Sequence, residues 1–347
     1  MNMWKLGSIG IFLGLFLGCG GQALDKQLQL QFEGKGKSWK QGARVGVSVA
    51  NRSDVPLDSV RYFLDGKALE YTDGTVVLSP EKLGTHTLEA RAYLQGQTVP
   101  LQEEVVVLAP APPELYTYEI VNTYPHDIEA FTQGLEFRGD TLYESTGQRG
   151  ASSLRKVDFR TGEILEQTAL ERTYFGEGIT LLGERLYMLT WQSKVGFLYN
   201  PNTLERTGTF QYGESREGWG LCNDGTRIYK SDGSQRIWIL DPETLQETGH
   251  LETVTDRSVF NKANELEYVD GLIYANVWQK PSMMIIDAAS GAITGVVNFG
   301  GLERSVTQHD RLDVLNGVAY HKERGTFFVT GKRWDKLFEV RILKKTP

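Results

Sequence analysis

Chemistry that needs sulfur or clustered imidazole has little to work with in this chain. Its 347 residues include two cysteines, Cys19 and Cys222, and five scattered histidines, His86, His126, His250, His309 and His321. Thiolate clusters and paired histidine ligands are both missing, so no zinc site can be read and no metal ligand is assigned. Nor does a basic run occur after the N-terminal region. With a formal net charge of −7, the chain is not expected to bind nucleic acid. An apolar run long enough to span a bilayer is also lacking. The run IGIFLGLFLG, which ends just before Cys19, is too short for a mature spanning helix and fits the apolar region of a signal peptide.

Residues 1–21 read as a lipoprotein-type signal with an anchor cysteine. Lys5 precedes the apolar run, and Cys19 sits where a small-residue cleavage site belongs. That placement resembles a bacterial lipobox, although Phe16 stands where leucine is usual. Cys19 would then be acylated, giving an exported bacterial lipoprotein in the periplasm or outer membrane that meets the membrane only through its lipid. An ordinary secretory signal with an incidental cysteine is the alternative, and it too exports the chain. In either case Cys222 is expected to be a buried free thiol.

Residues 22–108 alternate apolar and polar in short stretches such as LQLQF, ARVGVSVAN, SVRYFLDG and THTLEARAYL, separated by turn residues. About seven short strands over some 85 residues predict an immunoglobulin-like β-sandwich. It lacks a Cys–Trp–Cys core and shows nothing catalytic. Residues 109–114, APAPPE, form a stiff proline-rich linker.

From residue 115 to 347 one phrase recurs. The copies are QGLEFRGDTLY from Gln133, EGITLLGERLY from Glu177, WGLCNDGTRIY from Trp219, ELEYVDGLIY from Glu265 and a looser NGVAYHKERGTFF from Asn316. A strand-rich repeat of about 42 to 51 residues punctuated by glycine predicts a β-propeller. The fifth copy ends at the C-terminus without a fourth strand, whereas LYTYEIVNTYP precedes the first copy as a spare one. Pairing the spare into the last blade would close five blades and leave no open edge. The expected fold is therefore all-β, a five-bladed β-propeller preceded by an immunoglobulin-like sandwich.

In a propeller, residues at one phase of every blade converge on one rim. Starts of the first strands supply Gln133, Glu177, Trp219, Glu265 and Asn316, with Phe131, Phe175 and Asn264 just before them. Ends of the second strands supply Gly147, Trp191, Gly233, Trp278 and Lys332. Aromatic walls with a few converging polar groups are the expected form of a small-ligand site. Singly, each tryptophan could be packing, each glutamate a solvated rim charge and each asparagine a turn residue; their shared phase is what favours a site.

These residues carry a resemblance. FTQGL at Phe131, FGEGIT at Phe175, LTW ending at Trp191, EGWGL around Trp219, ANELEY at Asn264, NVW ending at Trp278 and TGK ending at Lys332 are similar to the glutaminyl cyclases of the plant and bacterial type. The resemblance covers about residues 115–345. It implies a five-bladed propeller that converts N-terminal glutamine of peptides or proteins to pyroglutamate with release of ammonia. It also implies Glu177 as acid/base residue, Gln133, Asn264 and Lys332 as its polar catalytic partners, and Phe131, Phe175, Trp191, Trp219 and Trp278 as the substrate-binding wall. Glu265 and Asn316 enter as substrate-binding candidates from phase alone. Animal cyclases of this activity are zinc proteins on another fold, in keeping with the missing ligand cluster.

The chemistry suits such residues. The nucleophile is the substrate's own α-amine, so neither a Ser or Cys nucleophile nor a catalytic cofactor is expected. A structural cation among backbone carbonyls of the channel is left open, and a monomer is expected. Two alternatives belong to other classes: a non-catalytic periplasmic propeller that binds a protein or peptide partner, and a lactonase or quinone-dependent dehydrogenase needing a metal cage or cofactor platform.

Overall fold

The computed structural model describes residues 26–34 and 36–345 and consists of strands joined by tight turns. Apart from those strands, the main regular element is a single 3-10 turn, Leu302–Ser305. No helix among the described residues is long and apolar enough to cross a membrane. The signal and Cys19 lie outside the described residues.

Alternation makes the N-terminal strands. Along Gly84–Leu94 every second side chain, from His86 through Leu88, Ala90, Ala92 and Leu94, is buried and the rest face outward, the period-two signature of a half-buried strand. This strand sits within a five-stranded sheet that faces a four-stranded one, and Val45, Val76, Leu78, Leu88 and Val107 pack between them. The unit does not hang free on its linker. Val254 and Ala292 of the C-terminal region join its core. Thr85 donates through N–H and hydroxyl to Glu252, each at 2.9 Å, and the Leu83 N–H donates to the Ser290 carbonyl at 2.8 Å. Even the linker is tied down, since the buried Ala109 donates to the Thr255 carbonyl at 3.1 Å.

Each of the five copies builds a set of antiparallel strands. Their first strands are Thr132–Arg138, Gly176–Leu182, Leu221–Asn223, Ala263–Val269 and Leu315–His321. These neighbour one another in sequence order, and the fifth lies beside the first, so they close a ring. The first four sets have four strands of their own. The fifth has three, and Glu114–Pro125 pairs antiparallel with its last strand, Lys336–Lys344, from Tyr116 opposite Lys344 to Pro125 opposite Lys336. The two ends of the region thus clasp in one sheet, where backbone groups that would otherwise form an open edge are satisfied. Residues Glu114–Tyr116 also run parallel to the fourth set's last strand.

Four of the five first strands slip register at equivalent places, between Thr132 and Gly134, Gly176 and Ile179, Ala263 and Leu266, and Leu315 and Val318. A bulge there turns one residue out of the sheet's alternation and aims it at the ring's mouth.

Candidate functional site

Register identifies the residues that share this re-aimed position. Thr132 pairs with Thr146, Gly176 with Thr190, Ala263 with Val277 and Leu315 with Gly331, so the next residues, Gln133, Glu177, Asn264 and Asn316, are equivalent. Trp219 fills the place in the third set, two residues before Leu221, as Gln133 precedes Leu135. The expectation placed Glu265 in this series, and the structure corrects it by one residue. In the first two sets the hairpin glycine is the first loop residue, Gly139 (φ 59°) and Gly183 (φ 60°). In the fourth the loop is Asp270-Gly271 with both residues left-handed (φ 49° and 87°), the pattern of a type I′ turn with glycine second. Counting back from that glycine therefore lands one position late, and a slip of one residue changes the face a strand residue occupies.

Glu265 accordingly faces the channel. Its equivalents are Gly134, Gly178, Gly220 and Gly317, and the first strands come so close that a Cβ on Gly178 would lie 2.6 Å from Gly220 Cα. The fully buried Glu265 side chain accepts the Leu135 N–H at 3.3 Å and the Val318 N–H at 2.8 Å. It holds strands together below the mouth and does not line the pocket.

The mouth is a pocket of about 230 Å³ lined by Phe131, Gln133, Gln148, Phe175, Glu177, Trp191, Trp219, Asn264, Trp278 and Lys332. All four expected catalytic side chains and all five expected aromatics meet there. Asn316, like Glu265, is not in the lining. It lies behind, donating to the Thr132 carbonyl at 3.0 Å and to Gln133 Oε1 at 3.2 Å, and accepting from Asn264 Nδ2 at 2.7 Å. A wider groove of about 810 Å³ runs along the linker between Leu83, Pro110, Tyr116, Tyr274 and Phe327; it is larger, but none of these converging groups reaches it.

Aromatic packing shapes the wall. Phe131 and Phe175 meet edge to face at 6.1 Å, Phe175 leans on Trp191 at 5.6 Å, and Trp219 on Trp278 at 5.7 Å. The second-strand ends expected at the rim include two glycines, and both are needed there: a Cβ on Gly147 would run into the Phe175 ring, and one on Gly233 (φ 78°) into Trp219. One residue that sequence reasoning missed fixes the tryptophans. Glu217 Oε2 accepts the indole N–H of Trp191 at 2.7 Å and of Trp219 at 2.8 Å, while its other oxygen accepts from Gln192 at 3.1 Å. Its signal lay inside the EGWGL motif, two residues before Trp219. Gln148, also missed, lines the pocket from a left-handed backbone (φ 94°).

Among the carboxyls whose pKa burial raises, Glu177 is the one that lines the pocket. Burial pushes its carboxyl well above the usual carboxylate range, the Lys332 ammonium pulls against that push, and the Glu217 carboxylate adds to it. Burial likewise holds Lys332 below the usual lysine range, opposed by Glu177 and Asp313. Lys332 lies 4.9 Å over the Phe131 ring and makes no ion pair with Glu177 within 4.0 Å among the described residues. Among the described residues no donor reaches the Glu177 carboxyl, while its backbone carbonyl accepts from Ser145 at 2.7 Å. A buried carboxyl with a raised pKa, open to the pocket and opposite a cation, can pass a proton between two nitrogens. No cluster of three His, Cys, Asp or Glu fit to hold a metal occurs among the described residues, and Cys222 is a buried free thiol.

Comparison with known proteins gives one consistent answer. Residues 65–342 match the family model described as glutamine cyclotransferase, a match that begins inside the N-terminal pair of sheets. A glutaminyl-peptide cyclotransferase of Arabidopsis thaliana is 41% identical over 228 residues, covering 65% of this chain and 71% of the relative. The crystal structure of Myxococcus xanthus glutaminyl cyclase superposes with a TM-score of 0.63 at 34% identity, over 67% of this chain and 100% of that one.

Proposed function

We propose, from the premise that this chain belongs to the glutamine cyclotransferase family and is a glutaminyl-peptide cyclotransferase, that the pocket around Glu177 is where its reaction occurs. The substrates are peptides or proteins that begin with glutamine. The observation that carries the assignment is the Glu177 carboxyl itself, buried, with its pKa raised by that burial and with no donor to its oxygens among the described residues, in an aromatic pocket.

The substrate's neutral α-amine attacks its own γ-carboxamide carbon, forming the lactam C–N bond. A free α-amino group has a pKa of about 7.7–8.0, so the neutral form is available near neutrality. The oxygen gains negative charge in the tetrahedral intermediate, where Lys332 and the amides of Gln133 or Asn264 can stabilise it; such a donor is typically worth ~3 kcal/mol. Glu177 takes the proton of the attacking nitrogen and gives it to the departing NH₂. The second C–N bond then breaks, ammonia leaves and pyroglutamate remains. Phe131, Phe175, Trp191, Trp219 and Trp278 hold the glutaminyl stem and exclude the water that would yield glutamate instead. No cofactor is called for, because the nucleophile belongs to the substrate.

The five clasped sets read as a five-bladed propeller, and the two facing N-terminal sheets as an immunoglobulin-like sandwich docked on it. With acylation at Cys19 the enzyme would act as an exported, lipid-anchored monomer on the periplasmic side of a bacterial membrane. The test is ammonia release from Gln-Ala by the protein and its Glu177→Gln variant, each with EDTA. Turnover that survives EDTA and collapses in the variant is expected. Turnover unchanged in the variant would remove Glu177 from the chemistry, and loss of wild-type turnover to EDTA would bring in a metal.

A further inference from the structure

Behind the pocket, one backbone carbonyl dictates the polarity of three side-chain amides. The Thr132 carbonyl can only accept, so the Asn316 edge 3.0 Å from it must be the NH₂. That NH₂ also reaches Gln133 Oε1 at 3.2 Å. The opposite edge of Asn316 is therefore its oxygen, which accepts from Asn264 Nδ2 at 2.7 Å. Asn316 is fully buried, and the chain just beyond it is pinned, because the Gly317 N–H donates to Asn276 Oδ1 at 2.9 Å. Gln133 has thus spent its oxygen and Asn264 part of its NH₂. Both side chains line the pocket, and neither Gln133 Nε2 nor Asn264 Oδ1 has a hydrogen-bond partner among the described residues. The pocket is left with one fixed donor and one fixed acceptor.

We infer that Asn316 is a positioning residue that sets this pocket to read a carboxamide and to reject a carboxylate. The inference rests on the pocket being the ring-closing site. Gln133 donates to the γ-carbonyl oxygen of the substrate, a bond that strengthens as the oxygen becomes an oxyanion. Asn264 accepts from the γ-NH₂ that will leave. The oxyanion donors are therefore Gln133 and Lys332, with Asn264 orienting the leaving group. An N-terminal glutamate would place a second acceptor against Asn264 Oδ1, and sites that leave buried polar groups mismatched discriminate steeply.

Two readouts test this, kcat/KM for Gln-Ala and the inhibition constant of Glu-Ala against it. Asn316→Leu keeps the side-chain bulk but frees both amides to turn. It is expected to lower kcat/KM for Gln-Ala by about tenfold or more while tightening Glu-Ala by about threefold or more. Simple damage to the site would weaken both together, so an unchanged ratio overturns the inference. Should Asn316→Leu fail to fold, Gln133→Glu serves instead. It keeps the acceptor toward Asn316 and replaces the pocket donor with oxygen, so kcat should fall about 100-fold with KM within about threefold. An unchanged kcat there would mean that Gln133 never presented its NH₂, which also overturns it. Retained turnover in Glu177→Gln would instead sink the assignment of the site. An inactive Glu177→Gln alongside an unchanged Gln-to-Glu ratio sinks this inference alone.

Discussion

Glu177 and Glu265 are both buried carboxyls on first strands of the ring, and burial drives both well above the usual carboxylate range. Their hydrogen bonds set them apart. Glu265 accepts from two backbone N–H groups, those of Leu135 and Val318, whereas the Glu177 carboxyl has no protein donor among the described residues and opens into the pocket. A raised pKa therefore marks burial in both, and only the unspent oxygens of Glu177 mark chemistry. Glu265 accepts strand amides in place of a neighbour's side chain; Glu177 waits for a substrate's nitrogen.

Exchanging each for glutamine is the strongest way to break this contrast. Glu177→Gln should lower kcat by about 10²–10⁴-fold, the usual worth of a positioned acid/base group. It should fold as well as wild type or better, since a costly buried acid is gone. Glu265→Gln should do the opposite, leaving kcat within about threefold while costing about 1–3 kcal/mol as one backbone N–H meets an NH₂. Thermal melts and steady-state kinetics on both variants decide it. If Glu265→Gln were the inactive one, the roles drawn from hydrogen bonding would be reversed.

Glu217 sharpens the comparison, because it is a carboxylate that shapes the pocket without being part of the lining. Glu217→Leu frees the indoles of Trp191 and Trp219 and should raise KM on the order of tenfold, a part of what bonds to a charged acceptor are worth. Glu217→Gln can keep both indole bonds but removes the charge. KM should then stay near wild type, while the limb of the pH–rate profile governed by Glu177 moves to lower pH, since one of the forces raising its pKa is gone. A shifted KM in the Gln variant would mean that the clamp needs the charge.

Much of this was legible in the chain. The clasp followed from counting strands, since the last copy lacked a strand and LYTYEIVNTYP was spare. Four of the pocket's five polar residues and all five of its aromatics followed from repeat phase and from the family resemblance together, and Gln148 did not. The phase failed at Glu265 because glycine marks different loop positions in different hairpins, and sequence alone does not reveal whether Gly271 is the first or the second residue of its turn. Asn316 had the right phase, yet its neighbours on either side of the ring, Asn264 and Gln133, absorb its hydrogen bonds. Glu217 was hidden because its partners are indole nitrogens brought together from two different sets. The Asn316 and Glu217 contacts run between sets, which a reading of one repeat at a time does not contain.

The smallest effect is expected deeper in the channel, where the site's carboxyl is matched by ones that do no chemistry. Burial lifts Glu136 to about 8, and Glu267 beside it is also raised, by burial and then by the Glu136 charge. A carboxyl whose folded pKa exceeds its unfolded value adds stability that is complete below the unfolded pKa, about 4.3 for glutamate, and is lost as pH rises through the folded one. The melting temperature should therefore decline between about pH 5 and pH 8. Glu136→Gln, which can still accept the Leu181 N–H now held at 2.8 Å, should flatten that decline by a few degrees, about 2–4 °C for each kcal/mol removed. Activity at neutral pH should not change, because Glu136 is not among the groups that line the pocket. A decline as steep in Glu136→Gln as in wild type would place the pH sensitivity elsewhere, with Glu177 the next buried carboxyl to examine.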